Sequence, residues 1–201
     1  MLEIVDNNCH SSNSPVIKVI GVGGCGNNAV NRLAHETNFP IQFIAVNTDQ
    51  MVLDKCEVDK CITIGKKITS GYGAGGNPEI GYAAAEESID DIKDAVSDAN
   101  MVILTAGMGG GTGTGALPYI SKICKDLKIL TVAVVTTPFS FENPDRNNIA
   151  KAGIRELEKC VDTLLVISND KLLSSNEKIV TLSSAFAFAD SVLKNSIDTI
   201  T

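Results

Sequence analysis

Apolar residues recur along the chain in two alternating patterns. Short, β-branched runs at Val16–Ile20, Ile41–Val46, Cys61–Ile64, Met101–Ala106, Ile129–Val135 and Thr163–Ile167 read as strands. Between them, helical spacing marks Ala29–Glu36, Pro78 to about Ser97, about Gly115 to Leu127, and Asn147–Cys160. Pro78 suits the first turn of its helix, where a missing N–H costs nothing. A further helical period runs from Thr181 to the end, with apolar residues at 182, 185, 186, 189, 192, 193 and 197. Ile129–Val135 is apolar almost throughout, as a strand covered on both faces should be. Strands alternating with helices predict an α/β, Rossmann-like fold: a mainly parallel sheet with helices on both faces. Ligands of such folds bind beyond the carboxyl ends of the strands.

Composition narrows the function. The 201 residues carry a formal charge of -7, which argues against a basic protein that wraps nucleic acid or an anionic membrane. No apolar run is long enough to cross a bilayer, and MLEIVDNNCHSSNSP has no secretory pattern. Residues 1–14 read as a polar, disordered tail and 15–201 as one domain. Six cysteines contain no C-x-x-C pair and only two histidines exist, so reduced thiols in a cytoplasm are expected, with neither a zinc site nor a disulfide framework. Glu86, Asp90 and Asp94 recur every four residues; a solvated helix face is the better reading than a metal site.

The glycines carry more. Of 17, four fall in 21–26, six in 65–81, six in 107–115 and one at 153. Gly21-Val-Gly23-Gly24-Cys25-Gly26 is a G-x-G-x-x-G between strand and helix, a moderate dinucleotide signal, and Asp49 could be its ribose acid. The run Gly107–Gly115 is more specific, because six glycines in nine positions cost conformational entropy unless they serve something. Backbone N–H groups freed of Cβ atoms can line one concavity for phosphate oxygens, at a helix N-terminus that favours anions. Thr112 and Thr114 add hydroxyls. The loop holds no Lys or Arg and no G-x-x-x-x-G-K-[ST] occurs, so this is not a P-loop; a cation such as Mg²⁺ would share the charge.

Six segments in order, VIKVIGVGGCGNNAVNRL, FIAVNTD, GYGAGGNPEIG, LTAGMGGGTGTGA, ILTVAVVTTPFSFE and SNDKLL, resemble the tubulin/FtsZ superfamily, and within it the bacterial cell-division GTPases. The resemblance covers nearly everything from Val16 onward. It implies GTP or GDP as ligand, self-association into head-to-tail filaments, a cytoplasmic place at the division site and cell-division proteins as partners. It places Gly23, Gly24, Gly26 and Asn28 in the first nucleotide loop, and Ala74, Gly75 and Gly76 in the loop that senses the terminal phosphate. Gly109, Gly110, Gly111, Thr112, Gly113 and Thr114 become the phosphate cradle. Glu142 matches the ribose acid, Arg146 an arginine beside the nucleotide, Phe186 the aromatic on guanine, and Asp190 the group that reads the base. Each has a blander reading: Phe186 as core, Asp190 as a solvated helix residue, Glu142 and Arg146 as an exposed ion pair that Pro144 keeps out of a regular helix.

The family continues from this last helix into an acidic loop and a second, mostly β domain; the chain ends before either, and a truncated form is the reading preferred over a split gene. It is therefore expected to hold nucleotide but to hydrolyse GTP poorly alone, the acidic loop of the next subunit completing the site. Two other readings stand at this point: an NAD-dependent dehydrogenase, and a regulatory module that caps filaments.

Overall fold

The computed structural model describes residues 15–36 and 40–174, with isolated positions between 184 and 199. The tail at 1–14, and most of the helical period beyond Thr181, lie outside the described residues.

Six strands form one sheet: β1 (Ile17–Val22), β2 (Ile41–Asn47), β3 (Lys60–Thr63), β4 (Met101–Gly107), β5 (Leu130–Thr137) and β6 (Thr163–Ser168). Their order is β3-β2-β1-β4-β5-β6, and every pairing is parallel. Chain direction across the sheet therefore reverses between β1 and β4, the switch point at which a doubly wound sheet opens a crevice.

Alternation along each strand builds two cores. Ile20, Leu104, Ala133 and Val135 face one layer, while Val19, Ile103, Val132 and Val134 face the other. The first layer is closed by α4 (Pro78–Glu87), α5 (Ile89–Val96), α6 (Thr112–Asp126) and α7 (Pro144–Glu158). The second is closed by α1 (Gly23–Glu36) and the short α2 (Gln50–Leu53). Short α3 (Lys66–Thr69) precedes α4, and α8 (Asn169–Ser174) follows β6.

The strands match expectation to within two residues at either end, but the helices differ informatively. Both α1 and α6 begin earlier than their apolar period, inside the glycine runs. Glycine has poor helix propensity, so a pattern search starts too late; packing of the loop backbone overrides that preference. The single helix expected from Pro78 to about Ser97 is two, broken at Ser88 (φ −104, ψ 28). Ser88 is buried and its Oγ accepts the Gly65 N–H at 3.0 Å, which a helical serine could not do as readily. Glu86, Asp90 and Asp94 are all exposed, and no group of three or more metal-ligating side chains occurs among the described residues.

Lys18, in the middle of an apolar strand, is buried and donates to the Ala95 carbonyl at 2.8 Å and to Asp98. The amine at the layer edge is thereby paired, which a buried charge requires. The hydrogen bond from Lys18 holds the Asp98 carboxyl below its usual range.

The five described cysteines are free thiols. Burial of Cys124 on the core face of α6 pushes its thiol up to about 12. Because the folded state disfavours the thiolate, this group costs nothing below pH 9. Above the unfolded thiol's value of about 9 it should erode stability by about 1.4 kcal/mol per pH unit, up to pH 12. Urea melts of wild type and Cys124→Ala between pH 7 and 11 should diverge only on the alkaline side.

Candidate nucleotide-binding site

Two helices start at the switch point, one from each side. α1 leaves the end of β1 at Gly23, and α6 follows β4 after the turn Met108–Gly111. The loops touch backbone to backbone: a Cβ added at Gly23 would lie 3.0 Å from the Gly113 nitrogen. At Gly26 it would lie 2.4 Å from the Thr105 carbonyl oxygen, so this glycine lets α1 sit directly on β4. Both helix N-termini thus meet at one crevice, and the first N–H groups of a helix have no intrahelical acceptor.

The glycines separate by what demands them. Gly109 is closed against α7, since an added Cβ would meet the Arg146 carbonyl oxygen at 2.8 Å. Gly111 meets the Asn77 nitrogen at 2.8 Å and the Ala74 Cβ at 2.9 Å, and Gly113 the Gly107 carbonyl oxygen at 2.8 Å. Gly75 and Gly76 face open space but hold left-handed φ of 57° and 79°. Gly24 and Gly110 are different. Neither has a left-handed φ, and among the described residues nothing lies within 4 Å of a Cβ built on either. Neither backbone conformation nor packing asks for glycine there.

Asn28 lies one turn after Gly24 and is exposed with it, on the same face of α1. Its neighbour Asn27 is buried instead: Nδ2 donates to the carbonyls of Gly21 (2.8 Å) and Val46 (3.3 Å), and Oδ1 accepts from Asn47 at 2.6 Å. Thr114 is buried, its Oγ1 accepting the Gly109 N–H at 2.8 Å, so it closes the loop from below. Thr112 is half-buried at the mouth, its hydroxyl 2.7 Å from that of Thr48. Ala74 is buried beneath Gly75 and Gly76, and the turn it begins lies against Gly111.

On the β5 side, Glu142 and Arg146 form an ion pair at 2.8 Å without a helix spanning them. Asn143 caps α7 and Pro144 is its first residue, so Glu142 sits just outside. Its second carboxylate oxygen accepts the Phe139 N–H at 2.9 Å. Glu142 is mostly covered and Arg146 mostly free, with side chains 15% and 56% exposed. Phe186 and Asp190 lie outside the described residues.

One buried polar residue at this end of the sheet escaped sequence reading. Asn169, at the carboxyl end of β6, is only 5% exposed, and its Oδ1 has no hydrogen-bond partner among the described residues. Its neighbour Asp170 accepts the Ser140 N–H at 2.8 Å and ties the β5–α7 loop to this end of the sheet. Nothing in SNDKLL beyond the order of segments marks Asn169; only burial does. Asp49, the ribose acid of the dinucleotide reading, is committed elsewhere: it caps α2, accepting from the amides of Met51 (3.0 Å) and Val52 (3.4 Å). A groove of about 960 Å³ between α4, α6 and α7 is a separate feature. It is walled by Tyr82 and Tyr119 and touches none of Gly24, Gly110, Glu142 or Arg146.

Two loops at a parallel-sheet switch point, with backbone donors and no lysine, agree with the family model of the Tubulin/FtsZ family, GTPase domain, which matches residues 16–177. The chain belongs to this family. It is 51% identical over 189 residues to the cell division protein FtsZ of Buchnera aphidicola subsp. Baizongia pistaciae, covering 94% of this chain and 49% of that one. The FtsZ of Buchnera aphidicola subsp. Acyrthosiphon pisum gives the same identity and coverage. The chain thus spans about half the length of the curated relatives it matches. Among solved structures, an empty FtsZ dimer from M. jannaschii superposes with a TM-score of 0.89 at 45% identity, covering 93% of this chain and 54% of that one. A GDP-bound monomer of CetZ1 from Haloferax volcanii superposes with a TM-score of 0.80 at 25% identity, covering 90% and 58%. Family membership favours a guanine nucleotide in the crevice over the dinucleotide, and a GTPase over a dehydrogenase.

Proposed function

We propose that this chain binds GTP and GDP across the carboxyl ends of β1 and β4, and serves a cell-division GTPase that polymerises head to tail. The observation that carries the reading is the pair Gly24 and Gly110, glycines that their own backbone conformation and packing among the described residues leave unexplained. Close approach of phosphate oxygens explains both. The N–H groups from Gly110 to Gly113 cradle the phosphates, aided by the α6 N-terminus and the Thr112 hydroxyl, while the Gly109 N–H is held inside the loop by Thr114. The turn Ala74–Gly76 meets the terminal phosphate. Glu142 accepts from the ribose hydroxyls, and Arg146 stays beside the nucleotide.

The base extends toward Asn28 and the end of β6, where Asn169 offers a buried acceptor. On the family resemblance, Phe186 stacks on guanine and Asp190 accepts its N1–H and exocyclic N–H. Leaving a buried acceptor unpaired costs about 1–3 kcal/mol, enough to discriminate against adenine. A Mg²⁺ ion fits as a partner of the phosphates themselves, since the described residues bring no carboxylate cluster to the loop. Its contribution would be to neutralise charge on the transferring phosphoryl group. Activation of the attacking water is assigned to the acidic loop of a neighbouring subunit. The proposed place of action is the cytoplasmic division site; no described helix is long and apolar enough to cross a membrane.

The test is direct. Protein purified without added nucleotide is denatured, and the released small molecules are separated by anion-exchange chromatography. Guanine nucleotide near one equivalent, or micromolar binding of added GDP to an emptied sample, is the expected result. Recovery of NAD alone would overturn the reading.

A further inference from the structure

Thr48, the residue just after β2, is fully buried at 0% exposure, and its polar atoms reach four different elements. Its N–H donates to Asn47 Oδ1 at 2.8 Å, and Asn47 is itself bonded to Asn27 on α1. Its carbonyl accepts from the Thr69 hydroxyl on α3 at 3.2 Å and from the Gly73 N–H at 3.1 Å. Its hydroxyl pairs with that of Thr112, the first residue of α6, at 2.7 Å. One small residue thus joins the first glycine loop, the 71–77 turn and the third glycine loop. No other hydrogen bond of the Thr48 hydroxyl occurs among the described residues.

The chemistry of the hydroxyl pair has a direction. Two hydroxyls 2.7 Å apart share one proton between them, and whichever donates has its own proton committed. Thr48 is buried and has no other acceptor among the described residues, which makes it the natural donor. Thr112 then accepts, and its own proton is left to point into the mouth of the crevice. A hydroxyl oriented in advance toward an anion avoids reorganisation when the anion arrives. The same residue holds Gly73, two residues before the exposed Gly75, through its carbonyl. A shift of the turn therefore moves Thr48, and a shift of Thr48 turns Thr112.

We propose that Thr48 is a positioning residue that couples the 71–77 turn to the Thr112 donor, so that both close together on the terminal phosphate. The inference rests on the nucleotide reading above and deepens it. Thr48 touches no phosphate itself; it acts through Thr112 and Gly73. Its loss should therefore weaken a triphosphate more than a diphosphate, because only the triphosphate engages the turn and the cradle at once. The hydroxyl, rather than the volume of the side chain, carries the effect.

Isothermal titration of the full chain with GDP and with a slowly hydrolysed GTP analogue tests this on wild type, Thr48→Val and Thr48→Ser. Thr48→Val keeps the shape and drops the hydroxyl. It should lose about tenfold in affinity for the triphosphate, equivalent to about 1.4 kcal/mol, while GDP affinity changes less than threefold. Thr48→Ser should keep both. An unchanged triphosphate-to-diphosphate ratio in Thr48→Val overturns the proposal, and so does equal loss in Thr48→Ser, which would mean packing alone. Should Thr48→Val not fold by circular dichroism, Thr48→Ala drops the same hydroxyl in a smaller side chain, and the same ratio, read beside Thr48→Ser, decides in the same two ways. Wild type that binds neither nucleotide would instead remove the nucleotide reading itself, and the coupling with it.

Discussion

Gly110→Val should abolish nucleotide binding, by at least a hundredfold in Kd, while the protein stays folded. A Cβ at this position meets no atom of the described residues within 4 Å, and the backbone is not in the left-handed region. The side chain is therefore free to exist in the empty fold, and surface changes of this kind rarely move stability by more than about 0.5 kcal/mol. What it fills is the space a phosphate needs. A hundredfold loss corresponds to about 2.7 kcal/mol, modest for displacing an anion from several backbone donors. Titration with a fluorescent GTP analogue, alongside a thermal melt, reads both halves of the prediction. Gly24→Ala is the companion: exposed in the first turn of α1, it should raise helix stability by up to about 1 kcal/mol and still impair binding. Wild-type affinity in both variants would leave these two glycines without an explanation.

Gly115→Ala, five residues on, should do the reverse. A Cβ there would lie 1.9 Å from the Pro78 carbonyl oxygen and 2.7 Å from the Tyr82 nitrogen, both on α4. The contact is reciprocal along the helix pair, since a Cβ at Gly81 would lie 2.3 Å from the Gly111 carbonyl oxygen. α4 and α6 meet backbone against backbone, and a single methyl must push them apart. Neither neighbour is a flexible side chain that could swing away. Overpacking a rigid contact costs about 3 kcal/mol or more. For a domain of this size that is roughly a 6–12 °C fall in melting temperature, which differential scanning calorimetry would measure. A melt within 2 °C of wild type would mean the helices yield more easily than their separation suggests.

These two substitutions in one glycine run show how far sequence reading reached. The run itself was legible, because six glycines in nine residues have no cheap explanation as a linker. Which of them serve a ligand was not. Spacing treats Gly110 and Gly115 alike, and only the neighbours of each Cβ position distinguish open space from α4. The same limit explains Asn27 and Asn28. Both stand in GGCGNN, but a helix turns 100° per residue, so one faces the sheet switch point and the other solvent. Asn169 was missed because a lone polar residue after a strand has no periodicity to betray it; its burial, and an Oδ1 with no partner among the described residues, are tertiary facts. Lys18 was read as part of an apolar strand, which its paired amine allows.

What the sequence determined by itself was the fold class, the strand positions and the family. Those depend on local periodicity and on motif order, both written along the chain. Tertiary structure decided which loops meet, because β1 and β4 become neighbours only through parallel pairing across the 78 residues between them, 23–100. It sorted the glycines into those that let helices touch and those that wait for a ligand. It also gave Thr48 a role no motif signals, since a hydroxyl's partner is a matter of distance in space, and Thr112 lies 64 residues away along the chain.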